Sequence, residues 1–190
     1  DSYSQLKTGY TLAQIRSAHV NDLLNALNSA AFLGFLEKLT GIGGLISDAH
    51  FAGGGLHETA RGGHLSIHAD FNVHPRTNIV RRLNLILFLN ENWQPDWGGD
   101  LELWDRGMKA CRKSVSPVAG RAVIFNTDTT SYHGHPEPLN CPDGVYRRSI
   151  ALYYYTAPPT ARLARHTTLF QARAGTSDAP PPLADRLLNR

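Results

Sequence analysis

Two side chains that can bind a metal lie two residues apart in a segment that alternates like a β-strand. The segment HLSIHAD covers residues 64–70 and carries His68 and Asp70. Residues i and i+2 of an extended chain project to the same face. The imidazole and the carboxylate are therefore predicted to point side by side into one space, where they could hold one edge of a metal ion.

A third ligand is available later in the chain. The stretch SYHGHPEPL contains His133 and His135, and either could complete the set. Two histidines and one carboxylate on one face of a metal, with the other positions open, are typical of non-haem Fe(II) oxygenases. These residues predict an iron site built from His68, Asp70 and one of the two later histidines.

Two helices that would support such a site are predicted near the start of the sequence. Residues 11–28 have apolar side chains at helical spacing, and Thr11 with Gln14 fits a capping box. Ser29 is a candidate N-cap for a second helix that would stop at Gly41. We expect these helices, over about residues 11–40, to pack against a sheet.

From His64 onward the pattern changes to short strand-like segments separated by turns. These segments are residues 64–70, 82–90, 101–104, 113–118, 121–126 and 148–156. Strands at this density without intervening helices favour a sandwich or a barrel. Two helices followed by such a run of strands predict the α+β fold class.

The segment 82–90 has two different faces. One face carries four leucines, whereas the other mixes polar residues with Ile86 and Phe88. A strand with such a second face is expected to line a cavity, which makes Asn84 a candidate site residue. Arg82 shares that face and is expected to meet either an acidic group of the substrate or a barrel carboxylate such as Glu102.

The composition changes after Thr156. Two proline clusters, at 158–159 and 180–182, flank a segment that contains arginines. We therefore expect a single domain over residues 1–156, with its barrel at about 50–156, followed by an ordered C-terminal arm over 157–190.

Composition restricts the class of protein. The hydrophobic content of 42% is ordinary for a soluble domain, and no apolar run reaches the roughly 18 residues of a membrane span. The net charge of +3 comes from scattered residues, which argues against a nucleic-acid partner. Cys111 and Cys141 are predicted to be free thiols, and with no secretory signal visible they indicate a cytoplasmic protein.

Six blocks, in their order and spacing, carry a resemblance to a known family. They are HADFN at 68–72, FLNENW at 88–93, WGGDLELW at 97–104, PVAGRAVIFN at 117–126, YHGHP at 132–136 and RRSIALYYY at 147–155. Together they resemble the 2-oxoglutarate and Fe(II)-dependent dioxygenases, in the prolyl-4-hydroxylase-like branch. The resemblance covers about residues 50–156. It implies a double-stranded β-helix, a jelly-roll or cupin-like barrel that holds the metal at its open end.

The resemblance also assigns roles to single residues. His68 and Asp70 match the His-x-Asp pair of the family. His133 matches its distal histidine, because glycine follows His133 as in the family pattern, whereas proline follows His135. His135 is then expected to lie behind the ligands or to face the substrate. Arg147 matches the basic residue that binds the far carboxylate of 2-oxoglutarate.

Two more residues are candidates for binding this cosubstrate. Ser149 shares a strand face with Arg147, and its small side chain leaves room for a carboxylate and offers a hydroxyl donor. Many relatives have a tyrosine where this chain has Phe88. Asn84 is expected to compensate for the hydroxyl that Phe88 lacks.

The activity implied by the resemblance is hydroxylation of an unactivated C–H bond, with 2-oxoglutarate converted to succinate and CO2. The implied cofactors are Fe(II), 2-oxoglutarate and O2, with ascorbate as an optional addition. Asp70 favours hydroxylation over halogenation, since related halogenases replace this carboxylate with a small residue. The branch acts on amino acids, peptides and small metabolites, so a substrate of one of these classes is expected.

Without the family resemblance, the same residues are compatible with two other classes of protein. A cupin-like metal protein, such as an isomerase or a dioxygenase that needs no keto acid, would use the same ligands without Arg147. A non-catalytic barrel that binds a small ligand is the other alternative. His57 and His64 lie near enough in sequence to support the metal ligands, whereas His74 is expected to be structural.

Overall fold

One curved antiparallel sheet of ten strands forms most of the molecule, and two α-helices pack on it. The computed structural model describes residues 2–160 and 163–181. The helices are α1 (Ala18–Leu27) and α2 (Ala30–Thr40). The strands are β1 (Ser4–Tyr10), β2 (Ile46–Ser47), β3 (Gly55–Ala69), β4 (Val80–Phe88), β5 (Leu101–Trp104), β6 (Cys111–Val115), β7 (Ala122–Asn126), β8 (His133–His135), β9 (Arg147–Thr156) and β10 (Leu169–Phe170). This arrangement confirms the predicted α+β class.

The sheet is organised around the long strand β3. The strands follow the order β6-β5-β8-β3-β9-β4-β7, while β1 and β10 also pair with β3 and β2 pairs with β9. Because β8 and β10 both pair with β3 at His68, strands distant in sequence meet at this residue.

The N-terminal helical region differs from the prediction at its beginning. Thr11 and Gln14 do form a capping box, but the helix behind it is a 3₁₀ turn of only three residues, Leu12–Gln14. Ile15 then has an extended backbone, with φ −81° and ψ 104°. The side chain of Ser17 accepts a hydrogen bond from the backbone N–H of Val20 and starts α1 there. The predicted start at residue 11 is therefore wrong.

The second helix begins and ends as predicted. The hydroxyl of Ser29 accepts a hydrogen bond from the backbone N–H of Phe32. Gly41 has φ 71° and ends the helix in the left-handed conformation that glycine adopts without steric cost.

The helices bury leucines against the sheet, as expected. Leu24 of α1 and Leu36 of α2 are fully buried with Leu83 and Leu85 of β4. Each buried leucine contributes about 1.5–3 kcal/mol relative to an exposed one. The Tyr154 hydroxyl donates to the backbone oxygen of Leu27 at 2.9 Å and ties β9 to the end of α1.

Four strands were not predicted, namely β1, β2, β8 and β10. In addition, β3 begins at Gly55, well before residue 64. The glycines at 53–55 and 62–63 conceal the first half of β3, because glycine is depleted in strands. β1 has no alternation of apolar and polar residues from which a strand could be predicted.

Part of the predicted C-terminal arm packs against the sheet. Leu169 and Phe170 pair with Ala69 and His68 of β3. Leu169 is 1% exposed and lies in a small core with Ile67. The arm residues from 182 onward lie outside the described part of the chain, and the division at 156 stays a prediction.

Two further findings concern the cysteines and the helices. Cys111 is exposed and Cys141 is buried, and both are free, as predicted. No helix in residues 2–160 and 163–181 combines the length and the apolar character that crossing a membrane would need.

Candidate active site

His68, Asp70 and His133 lie together at one place in the sheet. One ligand atom of each residue lies within 4.8 Å of those of the other two. The Nε2 atoms of His68 and His133 are each 3.5 Å from an oxygen of Asp70. The two histidines are paired directly across β3 and β8, which brings residues far apart in sequence side by side. The three side chains are of the types and spacing that a single metal ion requires.

Both histidines are held in the tautomer that a metal needs. Nδ1 of His68 lies 2.9 Å from the backbone oxygen of Ser66, and Nδ1 of His133 lies 3.0 Å from that of Ser131. A carbonyl oxygen only accepts hydrogen bonds, so each Nδ1 must carry the proton. The lone pair is therefore on Nε2, which faces the shared space, as is usual for metal-binding histidines.

The carboxylate of Asp70 is oriented through one of its oxygens. Oδ2 receives a hydrogen bond of 2.6 Å from Nδ2 of Asn84 and lies 2.9 Å from Nη1 of Arg81. The guanidinium of Arg81 is itself held between two rings, 3.7 Å from the centre of Phe71 and 3.6 Å from that of Tyr153. Oδ1 is left facing His68, where it is available to a metal.

Arg81 is a site residue that the sequence did not reveal. A register shift between Arg81 and Leu83 makes Arg82 the extra residue of a β-bulge. Strict alternation would place Arg82, not Arg81, on the face of Asn84. The bulge reverses this: Arg81 is buried and Arg82 is exposed. The prediction that Arg82 meets an acidic group is therefore wrong, because its neighbour occupies that position.

The protonation states suit metal binding. Burial alone would raise the pKa of Asp70, but Arg81 and the two histidines beside it hold that pKa well below its usual value. Burial, with His68 nearby, lowers the pKa of His133 to about 4. At neutral pH the site therefore offers a carboxylate and, at His133, a neutral imidazole.

The three residues open into a cavity of about 230 Å³ that also holds the predicted cosubstrate residues. Arg147 is buried, and its Nε donates to the backbone oxygen of Gly99 at 2.6 Å. Ser149 lies two residues further along β9, opposite His57 of β3 and Phe88 of β4. The cavity is also lined by Asn84, but its Nδ2 is already bonded to Asp70. The cosubstrate roles of Arg147, Ser149 and Asn84 stay predictions.

His57 and His135 also line this cavity, outside the group of three. Both ring nitrogens of His135 are buried without a hydrogen-bond partner among the described residues. Burial, together with Arg147 and Lys7, lowers the pKa of His135 well below its usual value. Burial and the same two cations lower the pKa of His57 to about 3. Both rings are therefore neutral at pH 7.

Lys7 is a second cavity residue that sequence reasoning missed. It lies on β1 and reaches into the cavity near Arg147. The bulge at Leu6, where the pairing with β3 shifts and φ is 49°, precedes it. Since β1 was not predicted, nothing in the sequence placed Lys7 near the metal ligands.

Comparison with known proteins agrees with this geometry. The family described as the 2OG-Fe(II) oxygenase superfamily matches residues 54–155, more than half of the chain. Prolyl 3-hydroxylase OGFOD1 of Mus musculus is 34% identical in an alignment of 88 residues that covers 42% of this chain and 16% of the mouse protein. The match thus spans less than a fifth of that relative.

Solved structures agree with the fold. A prolyl-4-hydroxylase from Pseudomonas putida matches with a TM-score of 0.53 and 20% identity, over 75% of this chain and 68% of that one. HygX from Streptomyces hygroscopicus, solved with nickel, 2-oxoglutarate and hygromycin B, matches with a TM-score of 0.50 and 12% identity, over 82% of this chain and 72% of that one. The double-stranded β-helix expected from the resemblance is confirmed. The chain belongs to the 2OG-Fe(II) oxygenase superfamily, enzymes that use Fe(II), 2-oxoglutarate and O2, and within it resembles the prolyl hydroxylases.

Proposed function

We propose that this protein is a hydroxylase that inserts one oxygen atom of O2 into an unactivated C–H bond of an amino acid, a peptide or a small metabolite. The other oxygen atom enters 2-oxoglutarate, which leaves as succinate and CO2. The observation that carries the proposal is the placement of His68, Asp70 and His133 on one side of a cavity that also contains the buried cation of Arg147.

The residues fit an iron ion. His68 and His133 would bind it through Nε2, because each Nδ1 is bonded to a backbone oxygen. Asp70 would bind it through Oδ1, because Arg81 and Asn84 occupy Oδ2. Three ligands on one side leave positions for the cosubstrate and O2, and iron held in this way supplies the oxidising power for C–H hydroxylation.

Arg147 is suited to bind the carboxylate of 2-oxoglutarate that lies away from the metal. The hydrogen bond from its Nε to Gly99 fixes the side chain and leaves the terminal nitrogens for a ligand. Ser149, on the same face of β9, is available as a hydroxyl donor. The protein would in this way orient the keto acid before O2 reacts.

A second cavity favours a substrate larger than a single small molecule. It has a volume of about 470 Å³ and shares Gly53, Phe71 and Thr168 with the first cavity. Val73 and Pro75 give it an apolar side, and Arg165 with His166 gives it a polar one. The relatives named prolyl hydroxylases make a proline-containing peptide the first substrate to test.

The test is an anaerobic titration of metal-free protein with Fe(II) and then 2-oxoglutarate, followed by the visible charge-transfer absorption of the keto acid bound to iron. We expect a saturable band that disappears in Asp70→Ala and needs a higher 2-oxoglutarate concentration in Arg147→Ala. A protein that binds one metal yet shows no band would instead be a cupin-like protein of another class.

Substrate class is tested separately with O2 present. Proline-containing peptides, free amino acids and small metabolites are each incubated with the iron-loaded protein and 2-oxoglutarate. A substrate is expected to gain the mass of one oxygen atom in step with succinate formation. Succinate formation that no candidate stimulates would rule out the substrates tested.

A further inference from the structure

Lys7 and Arg147 lie on two different strands at the same register position of the sheet. In the antiparallel register, Thr59 of β3 is opposite Lys7 of β1 on one side and opposite Arg147 of β9 on the other. Residues directly opposite one another in a sheet project to the same face. The two cations therefore flank Thr59, with Cα atoms about 10 Å apart at the usual strand spacing.

Neither cation forms an ion pair in the part of the chain that the structure describes, and the carboxylate of Asp100 attracts Arg147 only from beyond ion-pair distance. Nε of Arg147 donates to the backbone oxygen of Gly99, and Lys7 lines the same cavity with Arg147 as a neighbouring cation. The nearby side chains His57 and His135 are imidazoles, which are either neutral or cationic and so cannot balance the charge. Buried charges are costly unless they are paired, so two unpaired cations in one cavity indicate that an anion binds there.

Lys7 and Arg147 lie at the end of the cavity that is away from Asp70. The cavity-lining residues of β9 run from Arg147 through Ser149 and Ala151 to Tyr153. At the far end of this row, Tyr153 packs on Arg81, the partner of Asp70. A keto acid bound at the metal would direct its other carboxylate along the row towards Lys7 and Arg147.

We propose that Lys7 and Arg147 together bind the far carboxylate of 2-oxoglutarate, so that the cosubstrate site is closed by a cation from the N-terminal strand β1. This inference rests on the proposed function, since it concerns the same cavity. The ammonium of Lys7 would supply hydrogen-bond donors to that carboxylate beside those of Arg147.

The experiment compares two keto acids in the anaerobic Fe(II) titration. One is 2-oxoglutarate, and the other is 2-oxopentanoate, which has a methyl group in place of the far carboxylate. The variants are Lys7→Met, which keeps the length and removes the charge, and Lys7→Arg, which keeps the charge. Lys113→Met makes the same change at an exposed position of β6 and is the control.

We expect Lys7→Met to raise the Kd of 2-oxoglutarate at least about tenfold, as loss of a charge-assisted contact does. Lys7→Arg should recover most of the affinity, and the control should match the wild type. The Kd of 2-oxopentanoate should be the same in all four proteins, because this ligand has no far carboxylate.

Two outcomes would overturn the inference while the proposed function stands. One is an unchanged Kd of 2-oxoglutarate in Lys7→Met. The other is an equal loss for both keto acids, which would indicate a structural role for Lys7. If the wild type shows no band at all, the proposed function fails, and calorimetric titration of the metal-free protein with 2-oxoglutarate decides the inference alone. Binding that Lys7→Met abolishes supports it, and no binding rejects it.

Discussion

At the scale of single residues, the ion pair between Arg81 and Asp70 controls the carboxylate of the proposed metal site. Arg81 is buried, stacked between two rings and 2.9 Å from Oδ2. Removal of one partner of a buried pair leaves the other charge uncompensated. The geometry of Asp70 should therefore depend more on Arg81 than on any exposed residue.

We predict that Arg81→Met lowers the affinity for Fe(II) by about ten- to a hundredfold, the usual effect of losing a partner of a metal ligand. Arg82→Met makes the same chemical change one residue along the chain, at an exposed position, and should leave the affinity unchanged. Anaerobic Fe(II) binding to both variants measures the effect. Equal losses in the two would mean that the bulge at Arg82 does not exist in solution.

Lys7 should destabilise the protein when no ligand is bound. Burial, with Arg147 nearby, lowers its pKa from 10.5 to about 8. A lowered pKa means that the folded state binds this proton more weakly than the unfolded chain does. The charged amine therefore reduces stability below pH 8, and stability recovers as the pH rises from 8 to 10.5.

We accordingly predict that Lys7→Met melts at a higher temperature than the wild type at pH 7 without metal or keto acid. The difference should shrink as the pH rises through that interval, because the wild-type amine loses its proton in the folded state. Melting curves of both proteins over pH 7–10.5 measure this difference. Because it is taken between two proteins at the same pH, the contributions of all other titrating groups cancel. A variant that melts lower at pH 7 would show that Lys7 stabilises the fold.

At the scale of elements, the turn before β5 determines where Arg147 lies. The backbone oxygen of Gly99 accepts from Nε of Arg147, and Gly99 has φ +77°. A Cβ added at Gly99 would lie 2.6 Å from Cδ2 of Leu139 and 3.0 Å from Cδ of Arg147. Only glycine allows this close approach.

We predict that Gly99→Ala weakens 2-oxoglutarate binding several-fold as well as lowering stability. Gly120→Ala is the matched control, since Gly120 has φ +78° and nothing within 4 Å of the added Cβ. Both variants carry the cost of a left-handed alanine, about 1–2 kcal/mol, but only the first displaces Arg147. The free energy of unfolding and the Kd of 2-oxoglutarate separate these effects, and an unchanged Kd in Gly99→Ala would contradict the prediction.

The sequence was most informative where a site depends on local order within one strand. The spacing of His68 and Asp70 was sufficient to predict their common face, and the alternation of β9 put Arg147 and Ser149 together. Arg81 was missed because a bulge adds one residue, and a one-residue shift exchanges the two faces of a strand. Lys7 was missed because β1 depends on pairing with β3 and not on a hydrophobic pattern of its own.

At the scale of the whole molecule, the C-terminal arm supplies part of the site. Phe170 of β10 lies in the cavity wall, with its ring centre 5.7 Å from that of His68. Leu169 is buried behind it against Ile67. The composition of residues 157–190 indicated an arm. The pairing of β10 with β3 could not be predicted, because a strand of two residues leaves no periodic pattern in the sequence.

We predict that Leu169→Ala lowers the free energy of unfolding by about 2–5 kcal/mol, the usual cost of a cavity in a packed core. Leu163→Ala removes the same atoms from an arm residue that is 39% exposed and should change stability by no more than about 0.5 kcal/mol. Urea unfolding of the two variants measures both values. A small and equal effect would mean that the arm does not pack on the sheet in solution.

The hydrogen bonds that fix the two histidines have a consequence for how this site tolerates mutation. Both acceptors are main-chain oxygens two residues upstream, in Ser66 and Ser131. A side-chain replacement at either serine leaves its carbonyl in place, so the tautomers are insensitive to sequence drift. The carboxylate is different, since Arg81 and Asn84 hold it through side chains that a single codon change can remove. Variation in metal affinity among natural or engineered variants of this chain should therefore come from the residues around Asp70. These residues are the ones to change in order to adjust the affinity for the metal.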